Sequence, residues 1–392
     1  MTFHDQEGYP AAASGGTWAM AAPKLIDDVC KYGFNLFNTA NNHSGDFGQE
    51  GVMATIRHLK ERELIFAGSG ENLREAARAV YLDTKEARVA LIGITSSFDP
   101  AAAAGGPSID MMGRPGLNPL RFKTIHHVNE KHFEMAKELA EVSEANNLRT
   151  LKTQAGYLPP LPNDIFPFGK LIFKLTDGEE RNETVPHPAD VERTIREIKE
   201  AKRQADIVLV SIHAHEFLSL EMDKPAEFLR TFARKCIDAG ASVVIGHGSH
   251  ELRGIEKYGD GLIFYSLGNF IFQTETIERQ PVEAYTNMGM PSDSQVGDLM
   301  DKRSCNGTRG FAAQKTIWSA ILPVWEMENG KITSVTLHPI DLHQHDPRSR
   351  KGSPTLTNSD EALHHLKELS REFGTEIQIK DGKGYIDMTP KA

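Results

Sequence analysis

Long apolar runs are missing from this sequence, since none reaches the ~18 residues of a membrane span, and the first residues lack a basic-then-apolar signal pattern. As written, the chain reads as soluble and untargeted. Cysteine is scarce. Cys30, Cys236 and Cys305 are odd in number, widely spaced and form no Cys-x-x-Cys pair, which argues against a disulfide framework and a thiolate zinc site. Any metal would need His, Asn or carboxylate ligands. Positive charge is in deficit: 44 Lys and Arg against 54 Asp and Glu leave a net −10, with no block of like charges, so nucleic acid is not an expected partner. No Gly-x-Gly-x-x-Gly follows a predicted strand, which removes the usual nucleotide-binding loop. Internal repeats and low-complexity tracts are absent as well.

What is present is an ordinary globular composition, 39% apolar and 25% charged over 392 residues, which suits one large domain with extensions. The expected division is 1–345 as the main domain and 346–392 as a C-terminal helix-strand extension packed on it. Three stretches share one plan, a short β-favouring run ending in a polar, histidine-bearing turn with an amphipathic helix after it: Phe34 to Ala40, Asp206 to Ile212, and Ser242 to Gly246. Helices are predicted at 48–61, 191–204, 225–239 and 359–373, with Asp223 as cap and Pro225 in the first turn of the third. Further strands are expected at Arg88 to Thr95, Lys170 to Leu175, Leu262 to Leu267, Thr316 to Leu322, Ile332 to Leu337 and Thr375 to Ile379. The polar or Pro/Gly-rich stretches 97–119, 151–169 and 279–312 read as loops over a site. Alternating strands and helices imply an α/β fold whose parallel strands end at one edge.

Of the 16 histidines, His43, His213, His247 and His250 each follow directly on a predicted buried strand, the place where open α/β sheets bind ligands. Asn41-Asn42-His43, His213-Ala214-His215-Glu216 and His247-Gly248-Ser249-His250 can therefore meet although distant in sequence. Imidazoles with an amide oxygen suit zinc, manganese or iron. Asp46 and Glu216 are carboxylates able to orient an imidazole through its second nitrogen; Asp46 reads equally as a cap for helix 48–61. Arg114, in the Gly/Pro-rich loop 105–119, is either a substrate contact offering a planar fork to a carboxylate or phosphate, or a surface arginine. His126-His127 and His364-His365 read as surface residues on helices.

These residues lie in motifs that resemble the CapA family, the poly-γ-glutamate capsule synthesis proteins related to calcineurin-like metallophosphoesterases. The likeness rests on Gly33-Phe34, Ala40-Asn41-Asn42-His43-Ser44-Gly45-Asp46-Phe47-Gly48, Ala67-Gly68-Ser69-Gly70, Ser211-Ile212-His213, Ala239 to His250 and Ile263 to Phe272, in order and spacing over roughly residues 20–275. Gly113 to Leu120 and Phe373-Gly374-Thr375 extend it. The resemblance implies a four-layer α/β/β/α sandwich, one or two divalent ions (Mn, Zn or Fe) on Asn42, His213, His247 and His250, and His43, with Asp46 beside it, as the acid near the leaving group. His215, Glu216, Asn269 and Arg114 are placed on the substrate side. Two departures stand out. The family opens with a strand ending in Gly-Asp and an Asn-Leu-Glu segment that carry carboxylate ligands, and nothing before Phe34 matches them, so the first strand is expected to be missing. Ala214-His215 also stands where Trp-Gly is usual.

Two functions compete on this reading. The first is a metal-dependent hydrolase acting on an anionic polymer, a small phosphorylated compound or a γ-glutamyl substrate. The second is a non-catalytic capsule-assembly protein that uses the same fold to bind polymer or other capsule-synthesis proteins.

Overall fold

The structure, a computed structural model, describes residues 2–5, 7 and 9–388. The chain forms two compact units, one of Met1–Leu120, Ala189–Pro225 and Phe232–Ala392, the other of Arg121–Pro188 and Ala226–Thr231.

The first unit is organised by a six-stranded sheet in the order Leu252–Tyr258, Gly261–Leu267, Val243–His247, Ile207–His213, Arg88–Thr95, Val80–Asp83. Its four central strands run parallel, and the two edges are added antiparallel. Near-continuous apolar runs such as Val208, Val210, Ile212 and Val243, Val244 suit strands covered on both faces. A second, antiparallel sheet contains Ser319–Glu328, Lys331–Asp341, Lys383–Asp387 and Gln378–Lys380. Between the two sheets, Val243, Leu252, Ile255, Leu262 and Phe264 meet Ile321, Val335, Leu337 and Ile386, with Leu363 and Leu366 of the helix Glu361–Arg371 closing the cluster. A parallel pair, Leu36–Asn38 with Ile65–Ala67, contacts the Arg88–Thr95 strand, and the helix Gly48–Lys60 packs on Ile65–Ala67. This is a mixed α/β fold of the metallophosphoesterase type. The second unit is a four-stranded sheet, Ile165–Phe168, Leu171–Leu175, Phe122–Val128 and Arg181–Pro186, carrying the helix Glu130–Val142.

Several expectations are corrected. Val243–His247 is followed by an antiparallel hairpin, Leu252–Tyr258 with Gly261–Leu267, and not by a helix. Asp223 and Pro225 belong to the strand Glu221–Pro225, so neither opens the helix Glu227–Asp238. His126 and His127 lie on the strand Phe122–Val128, and His127 is buried against Glu183 at 2.6 Å. The segment 279–312 is not all loop: it carries the helices Val282–Asn287 and Val296–Ser304, packed through Tyr285, Leu299 and Met300.

Candidate functional site

His213 and His247 end neighbouring parallel strands and stand in direct register. Parallel pairing puts registered side chains on one face, so the two rings meet, with Nδ1 atoms 3.2 Å apart. The next ring follows by a tight turn: His213 Nε2 lies 3.0 Å from His215 Nε2. His215 in turn sits edge-on to His250, ring centroids 5.4 Å apart. His43, His215 and His250, together with Asn42, Glu216 and Asn269, line one open cavity of about 1970 Å³.

Burial sets the charge of this cluster. His213 is held well below the ordinary imidazole range by desolvation first and by the neighbouring His247, His215 and His250 next. Desolvation pushes His247 and His215 down to about 4, and lowers His250 as well. All four rings are therefore neutral near pH 7.

The hydrogen bonds fix which nitrogen carries each proton. Ala40 N–H donates to Asn38 Oδ1 at 2.9 Å, which turns the Asn38 amide nitrogen toward His247 Nε2, 3.2 Å away. An amide nitrogen only donates, so His247 Nε2 accepts, helped by the Ser211 hydroxyl at 2.9 Å. His247 then donates from Nδ1 to His213 Nδ1, and His213 from Nε2 to His215. Asn38 was not singled out in the sequence, because an asparagine inside an apolar run carries no sign of a partner 209 residues away, and Ser211 entered only as part of a motif, without this role.

His250 is the strained member. It has φ +66°, the left-handed region that costs a non-glycine residue free energy. Asn269 holds it there by accepting from His250 Nδ1 at 2.9 Å and donating to its carbonyl at 3.2 Å. Gly248 makes room for the turn: at φ +108° an added Cβ would stand 2.9 Å from His213 Cε1 and 3.0 Å from Ala214 N.

On the cavity wall, His43 Nδ1 donates to Asp46 Oδ2 at 2.8 Å. Asp46 is fully buried and also accepts from Ala19 N at 2.7 Å. It does not cap the helix Gly48–Lys60, whose N-cap is Phe47 without a side-chain bond. Asn42 shares the cavity, and its side chain makes no hydrogen bond among the described residues.

Other candidates separate from the histidines. Glu216 accepts from the hydroxyls of Ser96 at 2.6 Å and Ser97 at 3.0 Å, and orients no imidazole. Arg114 is exposed, lies outside the residues lining the cavity, and donates from Nε to Ala103 O at 3.0 Å, closing its own loop. Arg253, unmarked in the sequence, is almost wholly buried with no carboxylate ion-pair partner among the described residues. Its guanidinium donates to Met222 O and, at 3.2 Å, to His215 O; burial pushes it down to about 10. It fixes the backbone that presents His215.

The donor chemistry fits a divalent transition ion in part. Buried neutral imidazoles are good ligands, and their 3.0 and 3.2 Å nitrogen separations approach the roughly 3.3 Å between two ligands of one tetrahedral ion. Of the carboxylates beside the rings, Glu216 is bonded to two serines, and Asp46 is bonded through Oδ2 to His43 and Ala19 N while its buried Oδ1 has no partner among the described residues. Among the described residues, no three His, Cys, Asp or Glu side chains form a group that could hold an ion. The residues present fit the imidazole share of a metal centre.

A family model described as bacterial capsule synthesis protein PGA_cap matches residues 2–274. The chain is 32% identical to the uncharacterized protein y4sH of Sinorhizobium fredii, over 97% of this chain and 82% of that one. It is 28% identical to the capsule biosynthesis protein CapA of Bacillus anthracis, over 64% of this chain and 43% of that one. With the PGA biosynthesis protein CapA of Bacillus subtilis it shares 25% identity, over 79% and 63% of the two chains. The histidine-bearing strand ends all fall within the matched region, and the chain belongs to the bacterial capsule synthesis protein PGA_cap family.

Proposed function

We propose that this chain is a CapA-like protein of poly-γ-glutamate capsule biosynthesis, and that its histidine cluster serves metal-assisted hydrolysis of a phosphoester or γ-glutamyl bond. The observation that carries the reading is a contact chain of four neutral imidazoles, His213 and His247 at the ends of two parallel strands and His215 and His250 in the turns after them, the last two lining a cavity of about 1970 Å³. Asn42, His213, His247 and His250 would hold the ion. A bound divalent ion supplies Lewis acidity and an activated water.

The chain's own groups do the rest. Asp46 accepts from His43 Nδ1 and fixes the ring, so in the doubly protonated ring Nε2 is the atom that hands its proton to the departing oxygen or nitrogen, leaving neutral His43 with its proton on Nδ1. Asn269 and Arg253 hold His250 and His215 against the cavity. An anionic substrate suits the lining. Lys24, Arg279, Arg303 and Arg309 line the cavity without a carboxylate ion-pair partner among the described residues. Asp28, Asp99, Glu216 and Glu275 are each already bonded; Asp5 and Glu278, both exposed, accept no side-chain bond among the described residues.

A second reading is favoured by a different observation. The hydrogen bonds from Asn38 through His247 and His213 to His215 satisfy these rings without any ion, which suits a capsule-assembly protein that binds anionic polymer without turnover. Incubating reconstituted protein with phosphate esters, phosphodiesters and γ-glutamyl peptides separates the two. Release of phosphate or free amine supports hydrolysis. Polymer binding with no release across all three classes favours assembly.

A further inference from the structure

The second unit carries an apolar surface that the catalytic reading does not use. The helix Glu130–Val142 turns Phe133, Ala136 and Ala140 inward. Its other side presents Met135, Leu139 and Val142, spaced i, i+4 and i+7 and therefore on one face. Val142 is 86% exposed. After a short turn comes the helix Asn147–Gln154, which has no buried residue at all. Leu148 and Leu151, one turn apart on it, are 66% and 61% exposed.

Such a helix needs a partner. It has eight residues, and isolated helices below ~12–15 residues are marginal in water. Among the described residues, its one side-chain anchor at the start is Asn146, which donates to Pro167 O at 2.5 Å and accepts from Gly169 N at 3.3 Å. Nothing among the described residues covers the leucines.

Charge says what does. Beside the stripe on Glu130–Val142 stand Glu138 and, one turn on, Glu141, with Lys131 at the first turn and Glu134 already paired to Lys137. Beside Leu148 and Leu151 stand Arg149 and Lys152, and that helix has no acidic residue. Glu138, Glu141, Arg149 and Lys152 have no ion-pair partner among the described residues. An acidic-rimmed apolar face and a basic-rimmed one on the same chain are complementary to each other under a two-fold axis.

We infer that these two helices form a self-complementary docking face for a second copy of this chain, with Glu130–Val142 of one protomer laid on Asn147–Gln154 of its partner. The area is adequate. Met135, Leu139, Val142, Leu148, Leu151 and the exposed Tyr157 offer on the order of 700 Å², close to the ~800 Å² each partner gives to a standard interface. The inference is independent of any chemistry at the histidines.

Sedimentation velocity on the whole chain, over roughly 1–100 μM, tests it. The chain is expected to sediment as a dimer in the upper part of that range. Val142→Glu and Leu148→Glu, at positions too exposed to disturb folding, should each weaken the dimer at least about tenfold while leaving circular dichroism and thermal midpoint in place. Glu138→Lys should weaken it as well. Adding Lys152→Glu to that variant should restore association, because the reversed charges meet across the two-fold. A chain that stays monomeric throughout overturns the inference, as does a dimer indifferent to Val142→Glu or to the charge reversal. A monomer that instead cosediments with phosphatidylcholine vesicles overturns it in favour of a lipid surface.

Discussion

Asn269 grips His250 at both ends, taking a hydrogen bond from the ring at 2.9 Å and giving one to the carbonyl at 3.2 Å. This two-point hold keeps a histidine at φ +66°, and Asn269 Nδ2 also reaches Ile317 O at 2.9 Å. The residue therefore ties the turn after Val243–His247 to the segment leading into the second sheet.

Removing that hold should be felt in stability first. Asn269→Ala strips two carbonyls and one ring nitrogen of their partner, and each buried group left unpaired costs about 1–3 kcal/mol. Chemical denaturation of the variant should show a loss in that range with the slope unchanged. A variant as stable as the parent would mean that the His250 turn is held by its packing on Phe272 and Phe311 instead.

Acid should unfold the metal-free protein through the histidines. Their folded-state values lie below 6.5, with His215 and His247 near 4, so the unfolded chain binds more protons between about pH 6.5 and pH 4. The stability from keeping these rings neutral is complete above the unfolded value and lost as pH falls toward 4, up to about 3 kcal/mol per ring. Denaturant midpoints should fall steeply from about pH 6.5 to about pH 4.5. A midpoint flat across that window would show that the rings are more solvated than their burial implies.

His43 and Asn42 are neighbours with different proposed roles and should fail differently. Asn42→Ala should lower metal occupancy, because a coordinating oxygen is removed. His43→Ala should keep the metal and slow turnover by roughly 10²–10⁴-fold if Nε2 donates the proton. Equal rates for the parent and His43→Ala, on a substrate the parent hydrolyses, would remove His43 from the chemistry.

Much of the sheet was legible because its strands are unbroken apolar runs. Arg88–Thr95, Ile207–His213 and Val243–His247 needed only β-branched composition and a polar stop to be read, and His213 and His247, which end the last two, stand in register. Local patterns did not reveal what depends on long-range pairing. The strand Gly261–Leu267 was legible, but its antiparallel partner Leu252–Tyr258 stood where a helix was expected by analogy with the two earlier strand ends. His126 and His127 were misplaced because two adjacent histidines carry no periodicity, and pairing with Leu171–Leu175 on one side and Arg181–Pro186 on the other puts them on a strand. The roles of Asn38 and Ser211 beside His247 and of Arg253 behind His215 could not be read for the same reason: their meaning lies in atoms supplied from other parts of the chain.

Whether the histidine cluster holds an ion is the central claim, and direct metal titration tests it. Chelator-stripped protein should take up at least one equivalent of zinc or manganese in a calorimetric titration, with uptake weakened in His213→Ala and Asn42→Ala. Elemental analysis of the reconstituted protein would contradict the claim if it found less than about one-tenth equivalent of every divalent transition metal offered, since a centre with about four ligands binds far more.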